Sequence, residues 1–227
     1  MRFEEMNWMD VEGYLKQDDR LILVLGATEE HGYLSLLTDV KIPQALADAA
    51  SQQTGIPIAP ALNFGISPSF LAFPGTISLR VSTFLDALED VLRSVYGYGF
   101  RRIVILNGHG GNEPGRQRIV ELANQLPGLR VKWYSWWTAK CIREISERHG
   151  LPNQHANWEE AFRFTRVAPL PEGEKPEVVI KEILGAGAER DAIGDGVFGG
   201  PYTAPDEVMD EMFIANLKDV LEMLKFD

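Results

Sequence analysis

The sequence lacks most features that mark secreted, membrane-spanning or nucleic-acid-binding proteins. Among 227 residues there is one cysteine, Cys141, so no internal disulfide can form and a buried, inert thiol is expected. No apolar run approaches the length of a membrane span, and the N-terminus has no signal-peptide pattern. The net charge of −11 argues against nucleic acid and anionic membranes, since phosphate contacts need clustered basic residues. We therefore expect a soluble, cytoplasmic protein.

The length and the 45% hydrophobic content fit a single domain over residues 1–227. Apolar runs alternate with helical patterns, which predicts an α/β fold with a mostly parallel sheet and helices on both faces. Strands are predicted at residues 20–26, 102–106 and 129–136, and an extended segment near a sheet edge at 56–62. Helices are predicted at residues 40–53, 82–96, 114–125, 138–149, 157–166 and 205–225.

The sequence NGHGGN at residues 107–112 directly follows a predicted strand. Its glycines allow a sharp turn and close backbone approach, so His109 is presented at a strand end, where open α/β sheets bind ligands. A second predicted strand leads to Glu29, His31 and Asp39. If the two strands are neighbours, two imidazoles and two carboxylates meet around one cavity. Such mixed ligands suit zinc, manganese or ferrous iron.

Simpler explanations exist for each part of this pattern. The glycine-rich turn could hold an anion at the N-terminus of the next helix. Asp39 could cap the helix that begins near residue 40. The occurrence of such residues at two separate strand ends favours a metal site over these alternatives.

The remaining candidates lie near residue 155. Glu159 and Glu160 either stabilise a helix N-terminus, or one of them reaches the metal while His155 acts as general acid or base. His149 is expected at a helix C-terminus, where an imidazolium is favourable. Four tryptophans form either a buried aromatic cluster or a pocket wall: Trp133, Trp136, Trp137 and Trp158.

Together these stretches resemble the creatininase (creatinine amidohydrolase) family. The resemblance implies a three-layer α/β/α sandwich, a centre of two divalent ions (zinc, manganese or iron), hydrolysis of amide-type C–N bonds in small molecules, and a homohexamer. The matching segments follow the family order: GATEEHG at 26–32 with Thr38-Asp39, NFG at 63–65, FPGTISL at 73–79, LNGHGGN at 106–112, His155-Ala156 with Glu160, and GVFGGP at 196–201.

The resemblance also implies roles for individual residues. Glu29, Asp39 and His109 would bind one ion. His31, Asp39 and Glu160 would bind the other, so that Asp39 bridges the two. His155 would lie near the catalytic water, and together with Glu160 it forms the expected catalytic pair.

Departures from the family pattern surround these residues. Creatininase proper has a ligand glutamate where this chain has Gly111, so the second ion depends on Glu160. Gln154 replaces an acidic residue, and the neighbours of Glu160 also differ. We expect a metal-dependent amidohydrolase whose substrate is not creatinine, such as another cyclic amide, a formamide or a short peptide. The alternatives are a non-catalytic or single-metal small-molecule-binding protein of the same fold and, more weakly, a phosphate-binding protein.

Overall fold

The computed structural model describes residues 1–226, in which helices surround a parallel sheet. The three main strands are β1 (Arg20–Leu25), β2 (Arg102–Asn107) and β3 (Arg130–Ser135); β4 (Glu174–Lys175) and β5 (Gly200–Pro201) form a separate antiparallel pair. The helices are α1 (Trp8–Leu15), α2 (Thr38–Thr54), α3 (Val81–Tyr98), α4 (Gly115–Gln125), α5 (Lys140–His149), α6 (Ala186–Ile193) and α7 (Asp206–Met223).

The central sheet is parallel and has the order β1-β2-β3. The extended segment at 56–62 continues it beyond β1, where Ile58 and Leu62 form parallel bridges to Ile22 and Leu25. Arg2 bridges Ile58 on the outer side. The predicted strands and the predicted edge segment are therefore confirmed, and β1 and β2 are neighbours as the metal-site hypothesis requires.

Alternate strand residues face opposite helical layers, as expected of a sheet covered on both faces. Ile22, Val24, Val104 and Leu106 share one core with apolar residues of α2, α5 and α7. The intervening residues, Leu21, Leu23, Leu25, Ile103 and Ile105, share the other core with residues of α3 and α4. The expected three-layer α/β/α sandwich is thus the observed fold.

The helix predicted at residues 157–166 is wrong, because only a short 3₁₀ turn forms at Trp158–Glu160. Side chains bond the carbonyls that a continuing helix would use: Thr165 Oγ1 donates to Glu160 O at 2.6 Å, and Arg166 Nε donates to Ala161 O at 2.7 Å. Helices α1 and α6 were not predicted from the sequence. In the described part of the chain, no helix combines the length and apolarity that a bilayer span requires.

Candidate metal centre

Two strand ends and one helix start supply the central side chains. Glu29 and His31 lie in the loop after β1, Asp39 lies in the first turn of α2, and His109 follows β2. Gly108 permits this arrangement, since a Cβ there would lie 1.8 Å from the carbonyl oxygen of Asp39. The glycine therefore allows the start of α2 to pack directly against the end of β2.

Asp39 lies between the two histidines. Its Oδ1 is 2.9 Å from His31 Nε2, and its Oδ2 is 2.9 Å from His109 Nδ1. His109 Nε2 is 3.6 Å from Glu29 Oε2, and His31 Nε2 is 3.7 Å from Glu160 Oε1. The structure thus brings all five predicted residues together in two triads that share Asp39: Glu29, Asp39 and His109 in one, and His31, Asp39 and Glu160 in the other.

Several inward-facing atoms of these triads make no hydrogen bond, although they are buried. They are Glu29 Oε2, His31 Nε2 and Asp39 Oδ2. A buried polar atom without a partner costs about 1–3 kcal/mol, so a group other than protein is expected to satisfy them. Carboxylate oxygens and imidazole nitrogens fit zinc, manganese or ferrous iron.

Hydrogen bonds outside the triads fix both imidazoles. His31 Nδ1 lies 3.1 Å from the carbonyl oxygen of Glu29, and His109 Nε2 lies 2.9 Å from that of Ile66. In the neutral rings, donation to these carbonyls would leave the lone pairs of His31 Nε2 and His109 Nδ1 available to an ion beside Asp39. Such bonds are how metal-binding histidines are usually oriented.

The charges of the triads offset one another. Burial lowers the pKa of His31, but Asp39 and Glu160 outweigh this effect and raise it well above its ordinary value. Burial also lowers the pKa of His109, but Asp39 and Glu29 outweigh this effect and raise it to about 9. Burial opposes ionisation of Asp39, yet the two imidazolium groups hold its pKa well below the usual range. Metal binding must therefore displace protons from both histidines.

A cavity of about 390 Å³ opens onto the triads. Phe70, Trp137, Asn153, Gln154 and His155 form much of its wall, and no lysine or arginine is found among its described lining residues. Of the tryptophans weighed as pocket residues, only Trp137 lines this cavity, whereas two others belong to the hydrophobic core: Trp136 and Trp158.

The structure also tests the two simpler explanations, namely that Asp39 caps α2 and that the glycine-rich turn holds an anion. Asp39 does not cap α2, because the helix begins at Thr38 and Leu37 occupies the N-cap position. The amide of His109 donates to Asn107 Oδ1 at 3.2 Å, and the amide of Asn112 donates to the carbonyl oxygen of His109 at 3.2 Å. These bonds engage part of the glycine-rich turn internally and disfavour an anion cradle.

Gly111 cannot be replaced by a ligand residue in this backbone. A Cβ at this position would lie 1.9 Å from the carbonyl oxygen of Ile66 and 2.5 Å from His109 Nε2. Glu160 also lines the cavity, and its Oε2 accepts a 2.7 Å hydrogen bond from the amide of Ala156.

Two buried glutamates lie beside the triads, and the sequence analysis gave them no firm role. Glu30 Oε1 lies 3.2 Å from His155 Nε2. Glu159 lines the cavity, where burial and then the charge of Glu160 raise its pKa well above the ordinary value. The consecutive acidic residues in TEEHG could have indicated a functional role for Glu30. Its partner, His155, lies 125 positions further along the chain.

Fold and site together define an α/β protein with a buried carboxylate–histidine centre suited to divalent metal ions. The sequence model of the Creatininase family, described as creatinine amidohydrolase, matches residues 4–224. The chain belongs to this family.

Individual relatives support the same assignment. The chain is 31% identical over 115 residues to creatinine amidohydrolase of Pseudomonas putida, which covers 48% of this chain and 44% of that protein. It is 31% identical over 110 residues to 3-dehydro-scyllo-inosose hydrolase of Thermotoga maritima, covering 48% and 35%. A manganese creatininase structure superposes with a TM-score of 0.85 at 20% identity, covering 99% of this chain and 97% of that one. The aligned segments thus span less than half the length of these two curated relatives.

Proposed function

We propose that the protein is a metal-dependent amidohydrolase that cleaves a C–N bond in a small molecule. The observation that carries this proposal is the pair of buried triads sharing Asp39, with Glu29 Oε2, His31 Nε2 and Asp39 Oδ2 left without hydrogen bonds. Family membership and the likeness to a manganese creatininase support the same function.

The proposed roles follow the two triads. Glu29, Asp39 and His109 would hold one divalent ion, and His31, Asp39 and Glu160 the second. Zinc is the first choice, with manganese or iron as alternatives. Such ions supply activation of water and polarisation of a carbonyl oxygen. His155, at the edge of the cavity, would move a proton from water to the leaving nitrogen.

The cavity favours a small, uncharged or positively charged amide. Its volume of about 390 Å³ lies at the low end for small-molecule sites. No lysine or arginine stands among the described wall residues to receive an anionic substrate. Phe70 and Trp137 offer flat apolar surfaces, which suit a cyclic amide or a formamide. The two named relatives act on different compounds, so the pocket is the better guide to the substrate.

One observation favours a second candidate, a single-metal or non-catalytic binding protein of this fold. The second triad is the less enclosed one: the Glu160 side chain is 12% exposed, against 2% for Glu29 in the first triad, and Glu160 Oε2 is engaged by the amide of Ala156. Gly111 contributes no side chain to compensate. In this case only the triad of Glu29, Asp39 and His109 would hold an ion tightly.

Elemental analysis of protein purified without added metal and without a histidine tag tests both candidates. We expect about two ions per wild-type chain, falling toward one in Glu160→Ala, and unchanged in the control Glu159→Ala, which removes the neighbouring carboxylate outside both triads. An amide panel should then yield turnover. One ion per chain with no turnover would support the single-metal binding protein. No metal after reconstitution with zinc, manganese or iron would refute the amidohydrolase and support the non-catalytic binding protein.

We also propose a homo-oligomer, with the hexamer implied by the family as the expected state. Several large apolar side chains near the cavity-forming loops are about half exposed, as at oligomer interfaces: Phe64, Leu71 and Ile77. Light scattering coupled to size-exclusion chromatography measures this directly, and a monomeric mass at micromolar concentration would contradict it.

A further inference from the structure

Glu30 and His155 form a contact that the proposed metal centre does not require. Glu30 Oε1 lies 3.2 Å from His155 Nε2, and the glutamate is only 5% exposed. Its neighbours in sequence, Glu29 and His31, both turn toward Asp39. Glu30 therefore belongs to the same loop as two proposed ligands but faces a different partner.

Other contacts also fix the position of Glu30. Its Oε2 accepts a 3.1 Å hydrogen bond from the amide of Gly32, and its own amide donates to Thr76 Oγ1 at 3.0 Å. Gly196 packs against the same oxygen so closely that a Cβ there would lie 1.9 Å from Oε2. The position of Glu30 is thus fixed by its own loop, through Gly32, and by two distant segments, through Thr76 and Gly196.

The His155 ring is fixed as well. Phe70 stacks on it with 4.8 Å between centroids and 15° between planes, and Phe198 meets its edge with 5.5 Å between centroids. Its Nδ1 lies 3.9 Å from Glu29 Oε1, beyond hydrogen-bond distance. His155 also forms, with Glu29 and His31, a third group whose ligand atoms lie close enough together to hold an ion. One ring nitrogen is therefore engaged by Glu30, while the other is available on the cavity side.

We propose that Glu30 is a positioning residue that holds His155 as the Nε2–H tautomer and so presents the Nδ1 lone pair to the reacting atoms. This inference rests on the proposed amidohydrolase function. A proton would pass from the attacking water to Nδ1 as the C–O bond forms. It would then pass from Nδ1 to the leaving nitrogen as the C–N bond breaks, so that water and amide yield acid and amine. Glu30 keeps its place throughout, in the manner of the third group of a catalytic triad.

Nitrogen-15 NMR of the four histidine rings in zinc-loaded protein tests the tautomer without reference to turnover. His155 is assigned by its loss in His155→Gln. We expect the Nε2–H form in wild type, a mixture of tautomers in Glu30→Ala, and the wild-type form in Glu30→Gln, whose amide oxygen can accept the same hydrogen bond. Retention of the wild-type signal in Glu30→Ala, or an Nδ1–H form in wild type, would overturn the inference.

Kinetics on any amide hydrolysed in the panel give the second readout. Glu30→Ala should lower kcat about tenfold to a hundredfold, the usual effect of removing such a support, with KM and zinc content unchanged. Glu30→Gln should recover most of the loss. Loss of zinc in both variants would show that Glu30 supports the metal ligands instead, and would overturn its assignment to His155.

Two glycines of the same loop provide a matched pair. Gly196 and Gly194 both have positive φ, at 94° and 75°, so alanine strains the backbone at either position. Only at Gly196 does the new Cβ meet Glu30, whereas nothing lies within 4 Å of a Cβ at Gly194. Gly196→Ala should therefore shift the His155 tautomer and lower kcat, and Gly194→Ala should do neither. Equal effects of the two would contradict the proposed contact.

The two proposals fail in different ways. If zinc binds but no amide is hydrolysed, the proposed function fails while the NMR comparison still decides the role of Glu30. If turnover is found and Glu30→Ala changes neither the tautomer nor kcat, the function stands and this inference is wrong.

Discussion

Gly108 lies directly against the backbone carbonyl of Asp39, leaving no space for a side chain at the end of β2. The contact joins the first turn of α2 to the strand that carries His109. The position of the shared carboxylate therefore depends on a residue that has no functional group of its own.

Gly108→Ala should displace Asp39 and weaken both triads. Overpacking of this kind costs about 1–3 kcal/mol, and we expect a loss of that size in the free energy of unfolding together with loss of bound metal. Urea unfolding and elemental analysis measure the two effects. Gly110→Ala is the control, because the nearest atom to a Cβ there is 3.9 Å away, in Trp137. Full metal content in Gly108→Ala would contradict the expected role of the contact.

The metal-free protein should lose stability as the pH rises. Although burial opposes the charged form, Asp39 and Glu29 raise the pKa of His109 to about 9. A raised pKa stabilises the fold fully below the unfolded value near 6.5 and ceases to do so above the folded value. We expect a decline on the order of 3 kcal/mol between pH 6 and pH 9.5, measured by urea unfolding after removal of metal with a chelator.

His109→Gln supplies the control for this titration. Glutamine keeps a polar side chain but does not ionise, so the variant should show a smaller decline over the same pH range. A decline of equal size in the variant would assign the effect to other groups. For the loaded protein the direction reverses, because protons compete with metal for the imidazoles, and metal affinity should weaken as the pH falls.

Cys141 should react slowly with alkylating reagents. Burial first, and then the neighbouring Asp219, raises the pKa of its thiol to about 11, and only the thiolate is reactive. Asp219→Asn should lower that pKa and speed alkylation with iodoacetamide at pH 8 several-fold, as followed by mass spectrometry. The exposed Asp210 provides a control through Asp210→Asn, which should leave the rate unchanged. Fast alkylation of the native wild type would refute the prediction.

Trp136 and Trp137 are adjacent in sequence but should behave differently on truncation. Trp136 is 1% exposed within the core, and Trp136→Ala should cost about 3–5 kcal/mol of stability. Trp137 lines the cavity, so Trp137→Ala should cost less stability and raise KM several-fold for an amide found in the panel. Urea unfolding and steady-state kinetics of the two variants make the comparison. A larger stability loss in Trp137→Ala would be inconsistent with its place in the wall.

The sequence predicted the strands that position the candidate metal ligands better than it predicted the segment after His155. Strands β1 and β2 are mostly apolar runs. A glycine follows each strand, and the polar side chains come soon after it, so both the strands and the convergence of Glu29, Asp39 and His109 could be inferred from local pattern. The segment after His155 could not, because its helical spacing is overridden by the hydrogen bond from Thr165 to Glu160.

Contacts distant in sequence were also beyond prediction. Glu30 meets His155 across 125 positions, and no periodicity reports such a pairing. The closed space at Gly111 likewise depends on Ile66, which a distant loop supplies. The sequence shows that Gly111 has no ligand side chain, whereas only the fold shows that none could be accommodated.

Asp39 offers one oxygen to His31 and the other to His109, and this division has a thermodynamic consequence. Two ions bound at the triads would not titrate independently, because the first would orient the carboxylate that the second also needs. Any such coupling is reciprocal: each ion changes the affinity for the other by the same factor. A substitution that changes the affinity of one triad would therefore change the affinity of the other as well. The two measured dissociation constants would describe the coupled pair of sites and not each site alone.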